Sequence, residues 1–251
     1  MDDKELLKKR FKELATRSYN SGIFTFTDFL GLSELSAFEE IKPTLKGIAY
    51  TLFGGHEATE RKMIRFGNPE ELLYEEPFPI VCIKAEPLSQ KFADKLTHRD
   101  VLGALMNLGL ERENFGDIAI INNVAYIFMK ESVSDYVKDS LSKAKHTDLK
   151  LSVIDELPEG ELFKTEEKSI QLSGERLDAI IAKVYNLSRE DAKLLFLRDL
   201  VYVSGRLMQN PSYVPKRDEI ISVRGYGRFI YMSYETTSRK GKLCAKVHLY
   251  V

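Results

Sequence analysis

The sequence predicts an α+β protein made of three small domains. Its 251 residues are enough for two to three domains that each bury their own core. Patterns typical of helices and strands alternate along the chain, and the acidic, proline-containing stretch LLYEEPFP separates the first group of elements from the second. The expected domains are an N-terminal α/β domain at 1–77, a ferredoxin-like plait at 78–160, and a C-terminal domain at 170–251 that ends in a β-hairpin.

The N-terminal domain is predicted to begin with an amphipathic helix. Leu6, Leu7, Phe11 and Leu14 recur at helical spacing, and the pattern stops at the sequence NSG. After it we expect a strand in IFTFTDFL, a helix in SELSAFEEI that ends before a Lys-Pro pair, and two strands within GIAYTLFGGHEATERKMIRFG that are joined through Gly54 and Gly55.

The middle domain shows a βαββαβ order, which predicts a ferredoxin-like plait. The predicted elements are a strand in PIVCIKAEP, a helix in HRDVLGALMNLGL, two strands in DIAIINN and VAYIFMKES, a serine-capped helix in SDYVKDSLSKA, and a strand in LKLSVIDEL. The two middle strands meet at Asn122-Asn123, a pair suited to the left-handed conformations of a tight hairpin turn.

A plait is shared by many RNA-recognition domains, but also by many unrelated proteins. RNA-recognition domains stack bases on aromatic side chains at fixed points of the two central strands. The corresponding position of the first strand falls near Cys82, and NNVAYIFMK matches the usual pattern of the third strand only at Ala125 and Tyr126. The sequence therefore does not predict base stacking on this sheet.

Positive charge is concentrated in the last third of the chain. Residues 171–251 contain 14 basic and 8 acidic side chains, a net charge of +6, whereas the first 170 residues carry −7. Such a distribution is expected if the last third faces phosphate groups, and an uneven solvated surface is the alternative.

The C-terminal domain is predicted to contain two helices followed by strands. Leu177, Ile180, Ile181 and Val184 form one apolar stripe, with Arg176 and Asp178 expected to lie off it. Ser188, three residues before an aspartate, has the form of a helix cap, and the second helix turns Ala192, Leu195 and Phe196 inward.

Arg189 and Lys193 are four residues apart and therefore lie on the same face of the second helix. Two cations near a helix N-terminus, where free N–H groups also point outward, make a candidate phosphate site, and we expect Arg176 to lie nearby. VYVSGR and PSYVPKRDEIISVRGYGRF then predict two strands with tight turns, and Arg224 and Arg228 flank the last glycines.

The run from RLD through SREDAK and VYVSG to DEIISVRG resembles the S-four RNA-binding domain, also called the alpha-L motif, over roughly fifty residues in order. It departs from that pattern at Asp199 and Ser204, where Gly and Asn are usual. The resemblance implies RNA contacts by the residues that match its pattern: Arg176, Ser188, Arg189, Lys193, Arg224 and Arg228.

An Arg-Leu-Asp triplet also opens the catalytic motif of pseudouridine synthases, in which the aspartate attacks uracil. That motif requires a preceding glycine and a large mixed-sheet catalytic domain, whereas this triplet follows Glu175 and runs into a helix pair. We therefore expect Asp178 to be a surface or helix-start residue, and the protein not to be an enzyme.

An RNA-modifying enzyme is the alternative, and His56-Glu57 is its best candidate pair of catalytic residues. Against this alternative, the four histidines are scattered along the chain, and no HExxH, Walker or nucleophile-elbow motif occurs.

The three-part order, together with FLGLSE and FGGHEATERK near the N-terminus and SVRGYGRF near the C-terminus, resembles the bacterial YlmH family over essentially the whole chain. That resemblance implies an RNA-binding protein that contacts ribosomal RNA and tRNA. It implies binding to large ribosomal subunits blocked by peptidyl-tRNA, in ribosome-associated quality control. It also implies a link by gene neighbourhood to the cell-division cluster, so an interaction scaffold for cell division is a further alternative.

Two weaker basic groups complete the candidate sites. Arg61, Lys62 and Arg65 follow Gly54-Gly55, where backbone N–H groups could approach a phosphate, and a hairpin turn with a solvated flank is the alternative. Arg239 and Lys240 lie at the tip of the predicted terminal hairpin, where a solubilising turn is the default.

No cofactor or small-molecule substrate is expected. Cys82 and Cys244 stand alone, without zinc-ligand spacing or a disulfide framework, which fits a reducing cytoplasm. No stretch resembles a signal peptide or a membrane span. We expect a cytoplasmic monomer with RNA as its partner and no contact with membranes.

Overall fold

A computed structural model of the protein describes residues 3–158, 160, 162–237 and 243–250. It is an α+β protein that divides into two compact units, residues 1–162 and 163–251. The first unit contains two hydrophobic cores and the second contains one. The division into three domains stays a prediction.

The first part of unit 1 is a small sheet covered by helices. Its sheet has the order β1-β3-β2, and the predicted hairpin pairs Tyr50 with Phe66. Phe11 and Leu14 of α1 are buried in the same core as Phe38 of α2 and Leu7 packs against it, as the helical spacing predicts, whereas Leu6 of the predicted stripe is 56% exposed. The elements are α1 (Asp3–Ser21), β1 (Thr25–Phe26), α2 (Leu32–Ile41), β2 (Tyr50–Phe53), β3 (Met63–Phe66) and α3 (Pro69–Leu72).

The second part of unit 1 has the βαββαβ connectivity and the strand order of a ferredoxin-like plait, β5-β6-β4-β8, with the short β7 added at the edge. Asn122 and Asn123 have φ angles of 50° and 63°, so the predicted left-handed turn is present. The elements are β4 (Ile80–Pro87), α4 (His98–Met106), β5 (Phe115–Ile121), β6 (Val124–Lys130), α5 (Glu131–Ser140), β7 (Lys143–Ala144) and β8 (Thr147–Ile154).

The predicted serine cap of α5 is wrong. The helix begins one turn earlier, at Glu131, and Lys130 occupies the N-cap without a side-chain hydrogen bond. The hydroxyl of Ser134 instead donates to the carbonyl oxygen of Glu131 at 2.8 Å. The chain enters the helix directly from β6, so no loop is left in which a serine could cap the first turn.

Unit 2 is a six-stranded antiparallel sheet with two helices against one face. The strand order is β11-β10-β12-β13-β14-β9, and the predicted terminal hairpin is the β13–β14 pair. Strand β9 is an element that the sequence patterns did not predict. The elements are β9 (Thr165–Leu172), α6 (Leu177–Val184), α7 (Arg189–Leu197), β10 (Val201–Val203), β11 (Arg206–Leu207), β12 (Glu219–Val223), β13 (Gly227–Thr237) and β14 (Leu243–Tyr250).

The apolar stripes of the two helices form the core of unit 2 with the sheet. All four residues of the predicted α6 stripe and all three of the α7 stripe are buried. Asp199 and Ser204, the two departures from the S-four pattern, have φ angles of 56° and 48°, so both turns keep a left-handed residue. The carboxylate of Asp199 accepts a hydrogen bond of 2.8 Å from the side-chain amide of Gln209.

The loop between β2 and β3 joins the two sheets of unit 1. Its backbone N–H groups at Glu60 and Arg61 donate to the carboxylate of Asp117 at the start of β5. Gly55, with φ of 95°, lies so close to the ring of Phe128 that a Cβ atom there would be 2.2 Å from the ring. The β2–β3 loop therefore rests directly on the plait sheet.

We expect Gly55→Ala to lower the free energy of unfolding by about 3 kcal/mol, because overpacking and a strained positive φ each cost about 1–3 kcal/mol. Gly103→Ala is the matched control: an added Cβ there meets no atom within 4 Å, and α4 should gain up to about 1 kcal/mol of stability. Urea denaturation of both variants checks this. Equal stability of the two variants would contradict the packing of the loop on Phe128.

Candidate nucleic-acid interface

The start of α7 carries the best-formed group of candidate residues. Ser188 is the N-cap: its hydroxyl accepts from the backbone N–H of Asp191 at 3.0 Å and donates to the carboxylate of that residue at 2.6 Å. The predicted cap is therefore present. Because the hydroxyl is used within the chain, Ser188 positions the helix start, and its contact with RNA stays a prediction.

Arg189 and Lys193 are exposed one turn apart on the solvent side of α7. Ala192 and Leu195 occupy the opposite side and are buried, which fixes the direction in which the two cations face. Within the described part of the chain neither cation forms an ion pair. The two side chains are therefore available to an anionic partner.

Arg176 is held by Asp178 in a bidentate ion pair. Its guanidinium donates to the two carboxylate oxygens at 3.0 and 3.1 Å, and the backbone N–H of Ala179 donates to the same carboxylate. The Arg176 side chain is 45% exposed, whereas that of Asp178 is 0% exposed. Of the two expectations for Asp178, the helix-start position is present, since it lies in the first turn of α6, whereas the surface position is wrong because ion pairing allows a carboxylate to be buried.

Arg176 lies away from the α7 cations. Its helix, α6, contains eight residues, which correspond to about 12 Å of axis between Arg176 and the junction with α7. The N–H groups at the start of α6 are also occupied, since those of Leu177 and Asp178 donate to the carbonyl oxygens of Tyr213 and Pro211. Arg176 therefore does not complete the site at the start of α7 as the sequence predicts.

The turn between β12 and β13 approaches the α6–α7 junction instead. Tyr226 in this turn lies with its ring 5.5 Å from that of Tyr185, which directly follows α6. The guanidinium of Arg224, in the same turn, lies 5.7 Å from the ring centre of Tyr202 and is exposed. We define the junction surface as Arg189, Lys193, Arg224 and Tyr226.

Sequence reasoning missed Tyr226, although the stretch RGYGR contained the signal. An aromatic side chain between two glycines and two arginines cannot join a regular core pattern, and its ring is 45% exposed. Exposed aromatic rings beside cations are typical of surfaces on which bases stack.

Arg228 lies on the other face of the sheet. Phe229 and Tyr231 point into the core with the helices, so Arg228, next along β13, points away from them. Its guanidinium lies 4.0 Å from the ring centre of Tyr250 and 5.2 Å from that of Phe163. The helix face and this opposite face are thus two separate cationic surfaces.

The plait has an aromatic pair, of which the sequence pattern identified only Tyr126. Tyr126 and Phe128 both point to the sheet face opposite the helices, two residues apart on a central strand. Both rings are nevertheless buried, and Phe128 is covered by Gly55. The β2–β3 loop encloses Phe128, and the expectation that bases do not stack on this sheet stays a prediction.

The basic group near Gly54-Gly55 is largely enclosed. The Arg61 guanidinium donates to the carbonyl oxygens of Phe29 at 2.7 Å and Phe115 at 2.9 Å. Arg65 is 6% exposed, donates to the carbonyl oxygen of Glu76, and lies 4.8 Å from the ring centre of Phe24. Two of the three side chains thus stabilise unit 1 rather than form an exposed patch.

Lys62 is half-buried, and its backbone forms a bridge with Leu30. Arg239 and Lys240, the candidates at the terminal hairpin tip, lie outside the described residues.

Burial strongly shifts the pKa of two ionisable groups of unit 1. Burial raises the pKa of Cys82 to about 12, so its thiol is protonated at neutral pH. Burial and the charge of Arg61 lower the pKa of Arg112 to about 10. His56 accepts a hydrogen bond at Nδ1 from the N–H of Ala58.

Within the described residues, no group of three or more His, Cys, Asp or Glu side chains could hold a metal ion. None of the helices in these residues has the length and apolar character of a membrane span.

Comparisons with known proteins match these features to one family. Residues 75–157, which contain the plait, match the family model described as "Putative RNA-binding domain in YlmH". The chain is 30% identical over 207 residues to "Ribosome-associated protein quality control protein P2" of Bacillus subtilis (strain 168), covering 78% of this chain and 75% of that relative. The solved structure "Cell division protein ylmH from Streptococcus pneumoniae" is 22% identical and covers 61% of this chain and 92% of that chain, with a TM-score of 0.48. The chain belongs to the YlmH family.

Proposed function

We propose that this chain is an RNA-binding protein that associates with the ribosome and has no catalytic activity of its own. Its partners are structured ribosomal RNA and tRNA, on large subunits that carry peptidyl-tRNA, and its role is in ribosome-associated quality control. It acts as a cytoplasmic monomer. The names of its relatives support the ribosomal setting, and the matched RNA-binding model supports the ligand class.

The observation that carries this proposal is the junction surface. Arg189 and Lys193 are exposed without an ion-pair partner in the described chain, although their helix also contains acidic residues. Two solvated cations on one helical turn suit phosphate contacts, and the exposed ring of Tyr226, which packs on Tyr185 after α6, suits a base contact. The S-four-like order of helices and strands places these residues on rigid elements rather than on a long loop.

The burial of Asp178 supports a non-catalytic role for the Arg-Leu-Asp triplet. A nucleophilic carboxylate must be reached by the uracil ring, whereas this one is enclosed and both of its oxygens are bonded to Arg176. The triplet therefore serves the fold of unit 2.

Arg189→Ala and Lys193→Ala should each weaken the binding of purified large-subunit ribosomal RNA and lower the slope of log affinity against log salt by nearly one unit, because each substitution removes about one phosphate contact. The double variant should bind more weakly than either single variant. Filter binding across a salt series measures both quantities, and thermal melting checks folding.

The control is Lys138→Ala. Lys138 is an exposed helical lysine of unit 1 that is ion-paired with Asp135 at 2.8 Å, and its loss removes the same charge. If the control weakens binding as much as the α7 variants do, the effect reflects net charge, and the proposed surface is wrong.

Asp178→Asn should lower the free energy of unfolding by about 2 kcal/mol, because a buried hydrogen bond to a charged group contributes about 1.5–3 kcal/mol. At temperatures where the variant is folded, RNA binding should be preserved. Wild-type protein incubated with ribosomal RNA and tRNA should form no pseudouridine, as measured by mass spectrometry of nucleosides. Pseudouridine that appears with the wild type and disappears with the variant would establish the enzymatic alternative.

Tyr226→Ala should lower RNA affinity by roughly 1–3 kcal/mol while leaving the salt slope unchanged, since stacking on an aromatic ring involves no counterion release. Tyr226→Phe keeps the ring and should bind as the wild type does. Equal loss in both variants would show that the hydroxyl, and not the ring, makes the contact.

A further inference from the structure

Helix α1 presents a basic face to solvent that the proposed function does not use. The helix contains six basic and three acidic side chains, within a unit whose sequence is acidic overall. Its inner face is buried through Phe11, Leu14 and Ala15. The outer side chains belong to Lys9, Arg10, Lys12, Glu13, Thr16, Arg17 and Asn20.

The basic residues of α1 fall into two groups. Lys4 and Lys8 lie beside α2, where both are ion-paired with the carboxylate of Glu40 at 2.7 and 2.9 Å. These two side chains attach α1 to its neighbour, and the pKa of Glu40 is lowered by its hydrogen bonds to Lys4 and Lys8.

The second group has no such neighbour. Arg10, Lys12 and Arg17 are exposed and form no ion pair within the described ranges, and Lys9 approaches only Glu13, at 3.9 Å. From Lys9 to Arg17 these cations cover about 12 Å of helix axis. We define them, Lys9, Arg10, Lys12 and Arg17, as the α1 basic face.

We infer that the α1 basic face is a second RNA-binding surface that contacts the phosphate backbone of structured RNA. This inference rests on the proposed function and extends it to the N-terminal part of the chain. A duplex carries about one charge per 1.7 Å of its axis, so 12 Å of helix faces several phosphates. Four cations around the one carboxylate of Glu13 give the face a net charge of +3, which suits such an evenly charged partner.

The chemistry of the face favours RNA over an acidic protein. Protein interfaces that bury a helix usually have an apolar core, whereas this face consists of cations, hydroxyls, amides and the single carboxylate of Glu13. Thr16 and Asn20 can donate to phosphate oxygens between the cations, and Tyr19, 70% exposed, lies at the edge of the face. Contacts of this kind fix position without reading sequence.

The test compares two double variants of the full chain. Lys12→Ala/Arg17→Ala removes two cations of the α1 basic face, and Lys4→Ala/Lys8→Ala removes two ion-paired cations from the same helix. Binding to purified large-subunit ribosomal RNA is measured across a salt series, and thermal melting identifies any variant that is not folded. We expect the first variant to lose about fivefold or more in affinity and one to two units of salt slope, and the second to lose less than about twofold.

Equal loss in both double variants would assign the effect to net charge and overturn the inference. Wild-type affinity of Lys12→Ala/Arg17→Ala would also overturn it; if Arg189→Ala still weakens binding, the proposed function stands alone. Unchanged RNA affinity together with lost cosedimentation on large subunits would assign the face to an acidic protein. Failure of the wild type to bind RNA would remove the proposed function, and this inference with it.

Discussion

The bidentate pair between Arg176 and Asp178 sets the geometry of unit 2. A carboxylate that is 0% exposed requires a charged partner, and Arg176 supplies one from the position just before α6. The first N–H groups of the helix are bonded to the loop at Pro211 and Tyr213, so the helix start is fixed on two sides. With its start fixed, α6 can direct its apolar stripe into the sheet, and α7 follows from it after a short connection.

This constraint decides how the cations are distributed. Because α6 and α7 cover one face of the sheet, Arg189 and Lys193 point outward from that side, and alternation along β13 sends Arg228 to the other face. The β12–β13 turn approaches the helix junction through the rings of Tyr226 and Tyr185. A single flat RNA surface cannot contain all six residues that match the S-four pattern.

The plait contributes its aromatic pair to contacts inside unit 1, where the β2–β3 loop covers Phe128.

The elements that the sequence predicted are those whose buried faces are apolar. The stripes of α6 and α7 and the Asn122-Asn123 turn follow from side-chain chemistry alone. Strand β9, with the sequence TEEKSIQL, was missed because it pairs only through β14 at the sheet edge and alternates mainly between charged and polar residues. Periodicity placed Asp178 off the apolar stripe without showing that it is buried, and it could not show that Arg61 donates to carbonyl oxygens distant in sequence. The polar side chains in these three cases lie off the apolar stripes on which the predictions depend. For β9 and Arg61, the partners are also far along the chain.

The most direct test of RNA contact through unit 2 is ultraviolet crosslinking of the full chain to large ribosomal subunits, followed by mass spectrometry of the RNA-linked peptides. We expect linked peptides that contain Arg189–Lys193 and the turn at 224–226, since those exposed side chains would lie against RNA. Linked peptides confined to 75–157, with none from 163–251, would contradict the central claim and place the RNA on the plait.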